Sequence, residues 1–260
     1  MSFADLKETL GLVVVGAART VPMAWSIPVF GGPTLPGQLR LALGIGLSLF
    51  CLPVLAGSPP MGDAVGWVLI AFREIMVGVV MGFVCACTFR AAEAAGQFTD
   101  VLRGGNMARV LSPTGEGRSS PLGTLFLLLA ILVFFEIGGP GHVMSALVRS
   151  YEAIPLGLSS QVADRSRAMA ILAIVASAKL IESAIGLCAP AIVALLLADL
   201  LLGLLGRAVP QMPIHSFGMP LKALLGVGVV LLTLAGLDVA LQSSFRGFLD
   251  LLGTAMRFGR

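Results

Sequence analysis

Four charged residues stand inside otherwise apolar stretches of this chain: Arg73 and Glu74 side by side, and Lys179 and Glu182 three apart. A charge at the centre of a membrane helix costs roughly 2.5–3.5 kcal/mol on insertion scales, so such residues face protein or water. Their chemistry is then a relay of protons or substrate, or a set of ion pairs at helix–helix contacts. Lys179 and Glu182 share one helical face and can pair. Arg73 and Glu74 point about 100° apart on a helix and do not easily satisfy each other. Each needs a partner elsewhere: Arg19 suits Glu74, and Glu136 suits Arg73. Chemistry of the soluble kind has little to work with. His142 and His215 lie far apart, and no His-Glu-x-x-His, Gly-x-Ser-x-Gly or Gly-Lys-Ser/Thr motif occurs. No catalytic residue, metal ligand or cofactor site is assigned. Cys51, Cys85, Cys87 and Cys188 read as small buried hydrophobes, not as a zinc site or disulfides.

A second constellation lies in "GQFTDVLRGGNMARVLSPTGEGRSSPLG", Gly96 to Gly123, which carries Arg103, Arg109 and Arg118 between two hydrophobic segments. Gly104 and Gly105 permit a sharp turn with positive φ. Asn106 offers a polar surface, whereas Met107, Val110 and Leu111 offer an apolar one. The acidic neighbours Glu93 and Asp100 can anchor Arg103 and Arg109. Gln97 and Asp100 share a face on the approach and can bridge to a partner or cap the turn. Ser119 and Ser120 are placed to cap the following helix, with Pro121 at its first position.

The elements that must position these residues are apolar. Hydrophobic residues make up 57% of the 260 and charged ones 12%, against about 25% charged in a soluble domain. Six apolar segments account for this: about 10–29, 38–56, 64–89, 121–137, 168–205 and 220–241. Most approach the ~20 residues that cross a bilayer core. The reading is an all-α, polytopic membrane protein of one domain over 1–260, with a loop at about 96–120 and a basic tail at about 243–260. Runs such as "LLLAILVFF" exclude the short alternating strands of a β-barrel. Pro22 and Pro28 bend or break the first segment before Gly31, the second ends near Pro53, and Pro190 interrupts the fifth. No cleavable signal is expected in "MSFADLKETL", and a net charge of +3 is too small to imply nucleic acid. Six plain spans would leave seven Lys and Arg residues in the loops on each side of the membrane. Such a tie argues against six plain spans, because loop charge normally sets orientation.

Four stretches together are similar to one known family: "EAAGQFTDVLRGG", "LSPTGEGRSSPLGTLF", "VFFEIGGPGHVMSALVRSYEAIPLG" and "RAVPQMPIHSFGMPLK". They resemble the SctT/FliR family, the export-apparatus subunits of type III secretion systems and flagella, and more closely its virulence-type SctT branch. The chain departs from the family pattern at Pro213 and His215. The resemblance implies a single-copy subunit of a helical export gate in the bacterial inner membrane, partly raised toward the periplasm. Its helical hairpins would stack with SctR/FliP-type and SctS/FliQ-type partners. The basic tail would meet an SctU/FlhB-type subunit or lie on membrane lipid. The secreted polypeptides would pass unfolded. The segment Arg103, Gly104, Gly105, Asn106, Met107, Arg109, Val110, Leu111, Ser112 and Pro113 would be a plug loop that helps close the channel.

Two readings of function follow, from different classes. One is this non-enzymatic gate subunit, with energy supplied by other components. The alternative is a proton-coupled secondary transporter using Arg73, Glu74, Lys179 and Glu182. A membrane enzyme is the weakest class, for want of any catalytic motif.

Overall fold

The computed structural model describes residues 3–31, 35–55, 64–105, 120–156, 162–209 and 214–257. Nine helices account for the secondary structure of these residues, with no strand among them: α1 (Phe3–Ser26), α2 (Pro28–Gly31), α3 (Gly37–Phe50), α4 (Leu52–Leu55), α5 (Ala64–Leu102), α6 (Pro121–Glu136), α7 (Gly139–Ala153), α8 (Val162–Ala208) and α9 (Ile214–Arg257). The protein is an all-α, multi-pass membrane protein. Three helices are long and apolar enough to cross a bilayer, over Thr9–Ser26, Gly66–Leu102 and Arg167–Ala208. Two bent pairs raise the number of spans to as many as five. The second apolar segment is the shortfall. Its helix α3 has 14 residues, about 21 Å at 1.5 Å each, against a hydrocarbon core of ~30 Å.

Helix boundaries follow local chemistry, with three departures from expectation. The first segment breaks at Ile27, and Pro28 opens α2, where a missing N–H costs nothing. Pro22 stays inside α1. The fifth segment is not interrupted: α8 runs 47 residues straight through Pro190. Proline removes one backbone hydrogen bond from a helix, and membrane helices tolerate that loss. The loop expected from Gly96 begins later, because α5 continues to Leu102. The alanines of "RAAEAAGQ" favour helix, and nothing stops it until Gly104. The basic tail is no separate element but the last turns of α9. Leu241, Phe245, Phe248 and Leu252, spaced as one helical stripe, are all buried in protein. That stripe is not free to lie on a membrane surface.

The described chain forms two compact units. The first comprises residues 1–87, 135–178 and 246–260. Here α1 packs on α3 through glycines. A Cβ on Gly16 would meet Ser48 Oγ at 2.5 Å, and one on Gly44 would meet Val21 Cα at 2.8 Å. At this close approach Thr20 Oγ1 donates to the Gly44 carbonyl at 2.7 Å and Ser48 Oγ to the Val13 carbonyl at 2.8 Å. Helix α5 crosses α1 just as closely. A Cβ on Gly78 would lie 2.1 Å from the Arg19 carbonyl oxygen, and one on Gly82 would lie 2.8 Å from Met23 Cα. Small residues four apart let membrane helices touch backbone to backbone.

The second unit comprises residues 88–134 and 179–245. Its core is a trio of rings, Phe89, Phe134 and Phe245, with centroids 5.1–5.6 Å apart. Beside them Ala91, Ala92 and Ala95 present a flat, fully buried face of α5. Gly96 and Gly123 complete the crossing of α5 with α6. A Cβ on Gly96 would fall 2.3 Å from the Leu122 carbonyl oxygen, and one on Gly123 would fall 2.8 Å from Gln97 Cγ.

Candidate functional site

Among the described residues, each unit holds a buried carboxylate with its polar partners gathered around it. The cluster in the second unit centres on Asp100. Helix α5 ends there in a Schellman motif: Gly104 takes φ +90°, Gly105 N–H donates to the Asp100 carbonyl at 2.8 Å, and Gly104 N–H donates to the Val101 carbonyl at 3.1 Å. The Asp100 carboxylate is buried and fully engaged. Arg103 Nε and Nη2 both lie 2.6 Å from Oδ1. The Ser120 hydroxyl and, at 3.1 Å, the Leu122 N–H donate to Oδ2. Ser120 Oγ in turn accepts the Gly123 N–H at 2.9 Å. Ser120 is therefore the N-cap of α6, with Pro121 as its first residue. A carboxylate at a helix N-terminus is also favoured by the helix dipole.

This one carboxylate joins residues 103–105 to residues 120–123, the two ends of the segment 106–119. Arg103 is held from a third side, because its stem lies against α9. A Cβ on Gly226 would come within 3.1 Å of Arg103 Cβ and Cδ. Glu93 does not share in this anchoring. It accepts from Arg90 at 3.1 Å and from Gln97 at 3.3 Å, on an exposed face of α5. Asn106, Met107, Arg109, Val110, Leu111, Ser112 and Pro113 lie outside the described residues.

The cluster in the first unit centres on Arg19 and Glu74, both fully buried at 0% exposure. Arg19 Nε donates to Glu74 Oε2 at 2.6 Å, Nη1 to Ser150 Oγ at 2.9 Å and Nη2 to the Ile154 carbonyl at 2.9 Å. Its guanidinium also sits 4.1 Å over the Tyr151 ring, a cation–π contact. Tyr151 passes the linkage on, its hydroxyl donating to the Gly16 carbonyl at 3.1 Å. Arg19 is thus the partner expected for Glu74.

Arg73 corrects the expectation that it and Glu74 do not easily satisfy each other. Its long side chain folds back, so that Nη2 reaches Glu74 Oε1 at 2.8 Å and the Pro155 carbonyl at 2.8 Å. Two guanidiniums share this one carboxylate. The carbonyls of Ile154 and Pro155, just past the C-terminus of α7, accept from them as well, and the negative end of the helix dipole favours their positive charge. Lys179 is half-buried on α8, and Glu182 is exposed there.

Two features of these surroundings escaped the sequence reading. The glycines Gly78 and Gly82 carry a small-xxx-small signal that would have revealed the α1–α5 crossing. Lys222 of α9 pairs with Asp199 of α8, a contact between residues 23 apart that no spacing rule announces.

Comparison with known proteins decides the family. The model of "Bacterial export proteins, family 1" matches residues 10–248. The chain belongs to this family. Among its relatives is the secretion system apparatus protein SsaT of Salmonella typhimurium, 32% identical over 235 residues that cover 88% of each chain. The Yop proteins translocation protein T of Yersinia pestis is 32% identical over 209 residues, 76% of each chain. The flagellar biosynthetic protein FliR of Bacillus subtilis is 24% identical over 230 residues, 85% of each. The resemblance carried by the motifs of residues 93–222 is therefore true membership of the SctT/FliR family. The chain shares more identity with these two virulence-type relatives than with this flagellar one. As a family member it is a component of a bacterial protein-export apparatus.

Proposed function

We propose that this chain is the single-copy subunit of a type III secretion export gate in the bacterial inner membrane. It forms part of the passage through which unfolded substrate proteins cross, and the segment that starts at Arg103 helps to close that passage. Its helical hairpins stack with SctR/FliP-type and SctS/FliQ-type subunits, and an SctU/FlhB-type subunit meets the assembly. The observation that carries the closing role is the carboxylate of Asp100. It fastens both ends of the segment 106–119 at one buried point, which suits a segment that must be presented at a fixed place. The composition of that segment agrees, since Met107, Val110 and Leu111 can seal a constriction against varied sequences and methionine is adaptable in shape. Arg109 disfavours leakage of cations.

The transporter alternative loses its main residue. Both oxygens of Glu74 are occupied by guanidinium donors, which suits an ion pair that holds helices together.

The test is deletion of residues 107–111 in cells that carry the whole export apparatus, with ion permeability of the inner membrane and secretion of a native substrate measured together. The expected result is a leak of ions from cells in which the gate still assembles. Unchanged permeability together with unchanged secretion would refute the closing role. Native mass spectrometry of the gate purified in mild detergent checks the copy number, for which one copy per complex is expected.

A further inference from the structure

The junction of α5 with α6 combines close glycine contact with a buried carboxylate, as the crossing of α1 with α5 does at Gly78 and Glu74. Here Gly96 and Gly123 bring the backbones together, and four donors then converge on the side chain and main chain of a single buried residue. Arg103 and Ser120 fill the Asp100 carboxylate from both sides, the Leu122 N–H shares Oδ2, and the Gly105 N–H takes the carbonyl. Gly226 of α9 leaves room for the Arg103 stem, so the guanidinium cannot swing away without leaving that seat.

Parting α5 from α6 at this point would take the Ser120 hydroxyl and the Leu122 N–H off the buried carboxylate and leave one of its oxygens unfilled in an apolar interior. Each hydrogen bond to a charged group shifts an equilibrium by roughly tenfold or more. Two such bonds, from the Ser120 hydroxyl and the Leu122 N–H, cross from α6 to the carboxylate, so an opened junction is disfavoured by ~100-fold. A working motion that had to pass through that state would be slowed accordingly.

We infer that Asp100 is a positioning residue that keeps the α5–α6 junction closed throughout transport, so that the movements secretion requires take place elsewhere in the gate. The inference deepens the proposed function, and rests on it for the nature of the working cycle. It also gives Arg103 a definite part. Arg103 belongs to the fixed junction and is not a charge offered to passing substrate.

A reversible cross-link tests this without touching Asp100. Gln97 Cγ lies 2.8 Å from the Cβ position of Gly123, so the sulfur of a cysteine at 97 falls beside the Cβ of a cysteine at 123, close enough for the specific geometry of a disulfide. The four native cysteines are buried and do not compete. The double variant Gln97→Cys with Gly123→Cys is expressed in the native export apparatus, oxidised in the membrane, and assayed for secretion before and after reductant. Secretion is expected to be the same within about twofold in the two states, as befits a junction that never opens. A block on oxidation that reductant relieves would overturn the inference.

Should the cysteine pair hinder assembly, hydrogen exchange on the unaltered gate supplies the decision. The amides of Gly105, Leu122 and Gly123 are expected to stay protected whether or not a substrate is stalled in the gate, and loss of protection on stalling would overturn the inference equally. The two ideas fail separately. A silent deletion of residues 107–111 removes the closing role and leaves the junction intact, whereas a reversible block by the cross-link removes the fixed junction and leaves the closing role.

Discussion

Glu74 offers the sharpest separation between a structural ion pair and a proton relay. Glu74→Gln keeps the shape of the side chain but removes its charge, taking from buried Arg19 and half-buried Arg73 the carboxylate they share, while the Ser150 hydroxyl and the carbonyls of Ile154 and Pro155 remain as acceptors. Breaking a buried pair by removing one partner costs ~3–5 kcal/mol, because the surviving charge is left uncompensated. For a chain of this size, 1 kcal/mol corresponds to about 2–4 °C of melting temperature. The expected loss is therefore roughly 6–20 °C in the thermal stability of the detergent-solubilised complex, with a matching fall in the amount of assembled gate. A hydrophobic double replacement, Arg19→Leu with Glu74→Leu, removes both charges and should recover part of that loss. Arg73 limits the recovery, because it loses its carboxylate in either case. The assay is the melting temperature of the purified complex, set beside secretion per assembled gate. A Glu74→Gln complex as stable and abundant as the parent, yet inactive in secretion, would refute the reasoning and return Glu74 to the role of a proton carrier.

Two further outcomes follow from the packing. Gly78→Ala places a methyl group 2.1 Å from the Arg19 carbonyl oxygen, a backbone atom that cannot step aside. It should destabilise by about 1–3 kcal/mol or more and lower the amount of chain in membranes, whereas Gly186→Ala, which meets only open space, should leave that amount unchanged by immunoblot. Asp199→Lys should weaken the complex by setting two like charges together, and the exchange Asp199→Lys with Lys222→Asp should restore it. Equal loss in the single and exchanged variants would show that the pair contributes nothing through its charges.

The sequence made the helices legible because composition alone forces them. With no water to satisfy backbone groups in hydrocarbon, runs such as "PLGTLFLLLAILVFFE" have helix as their only spanning solution besides a closed barrel. The fourth segment, read as 121–137, matches α6 at Pro121–Glu136. The cap at Ser120 and the turn at Gly104 were legible for the same local reason, since each rests on residue types within a few positions of one another. Lengths were less legible. Pro190 looked like an interruption, but a membrane helix tolerates the missing hydrogen bond when its neighbours pack well, and no local pattern reports on neighbours. The partners of the charges were legible only in part. Arg19 was expected for Glu74 as a charge in another apolar segment, but its reach to Ser150 across 131 residues and the pairing of Lys222 with Asp199 span distances at which periodicity carries no information.

The two polar clusters bear on how such a chain divides its work. In each, an acidic side chain is buried, both of its oxygens are taken, and each donor is fixed by a second contact: Arg103 by its seat against Gly226, Ser120 by the Gly123 N–H it caps, and Arg19 by Ser150, Ile154 and Tyr151. A carboxylate that exchanged protons with solvent during a cycle would need an oxygen open to water in at least one state, and a partner able to move. Neither Asp100 nor Glu74 is built that way. Their geometry is that of fasteners, which hold helices at crossings where glycine has already removed every spare ångström. A gate that passes unfolded polypeptides gains from such fasteners, because its walls must keep their spacing while chains of varied shape go through. On this reasoning the buried charges of this chain set the frame, and the force that drives substrates comes from other components of the apparatus.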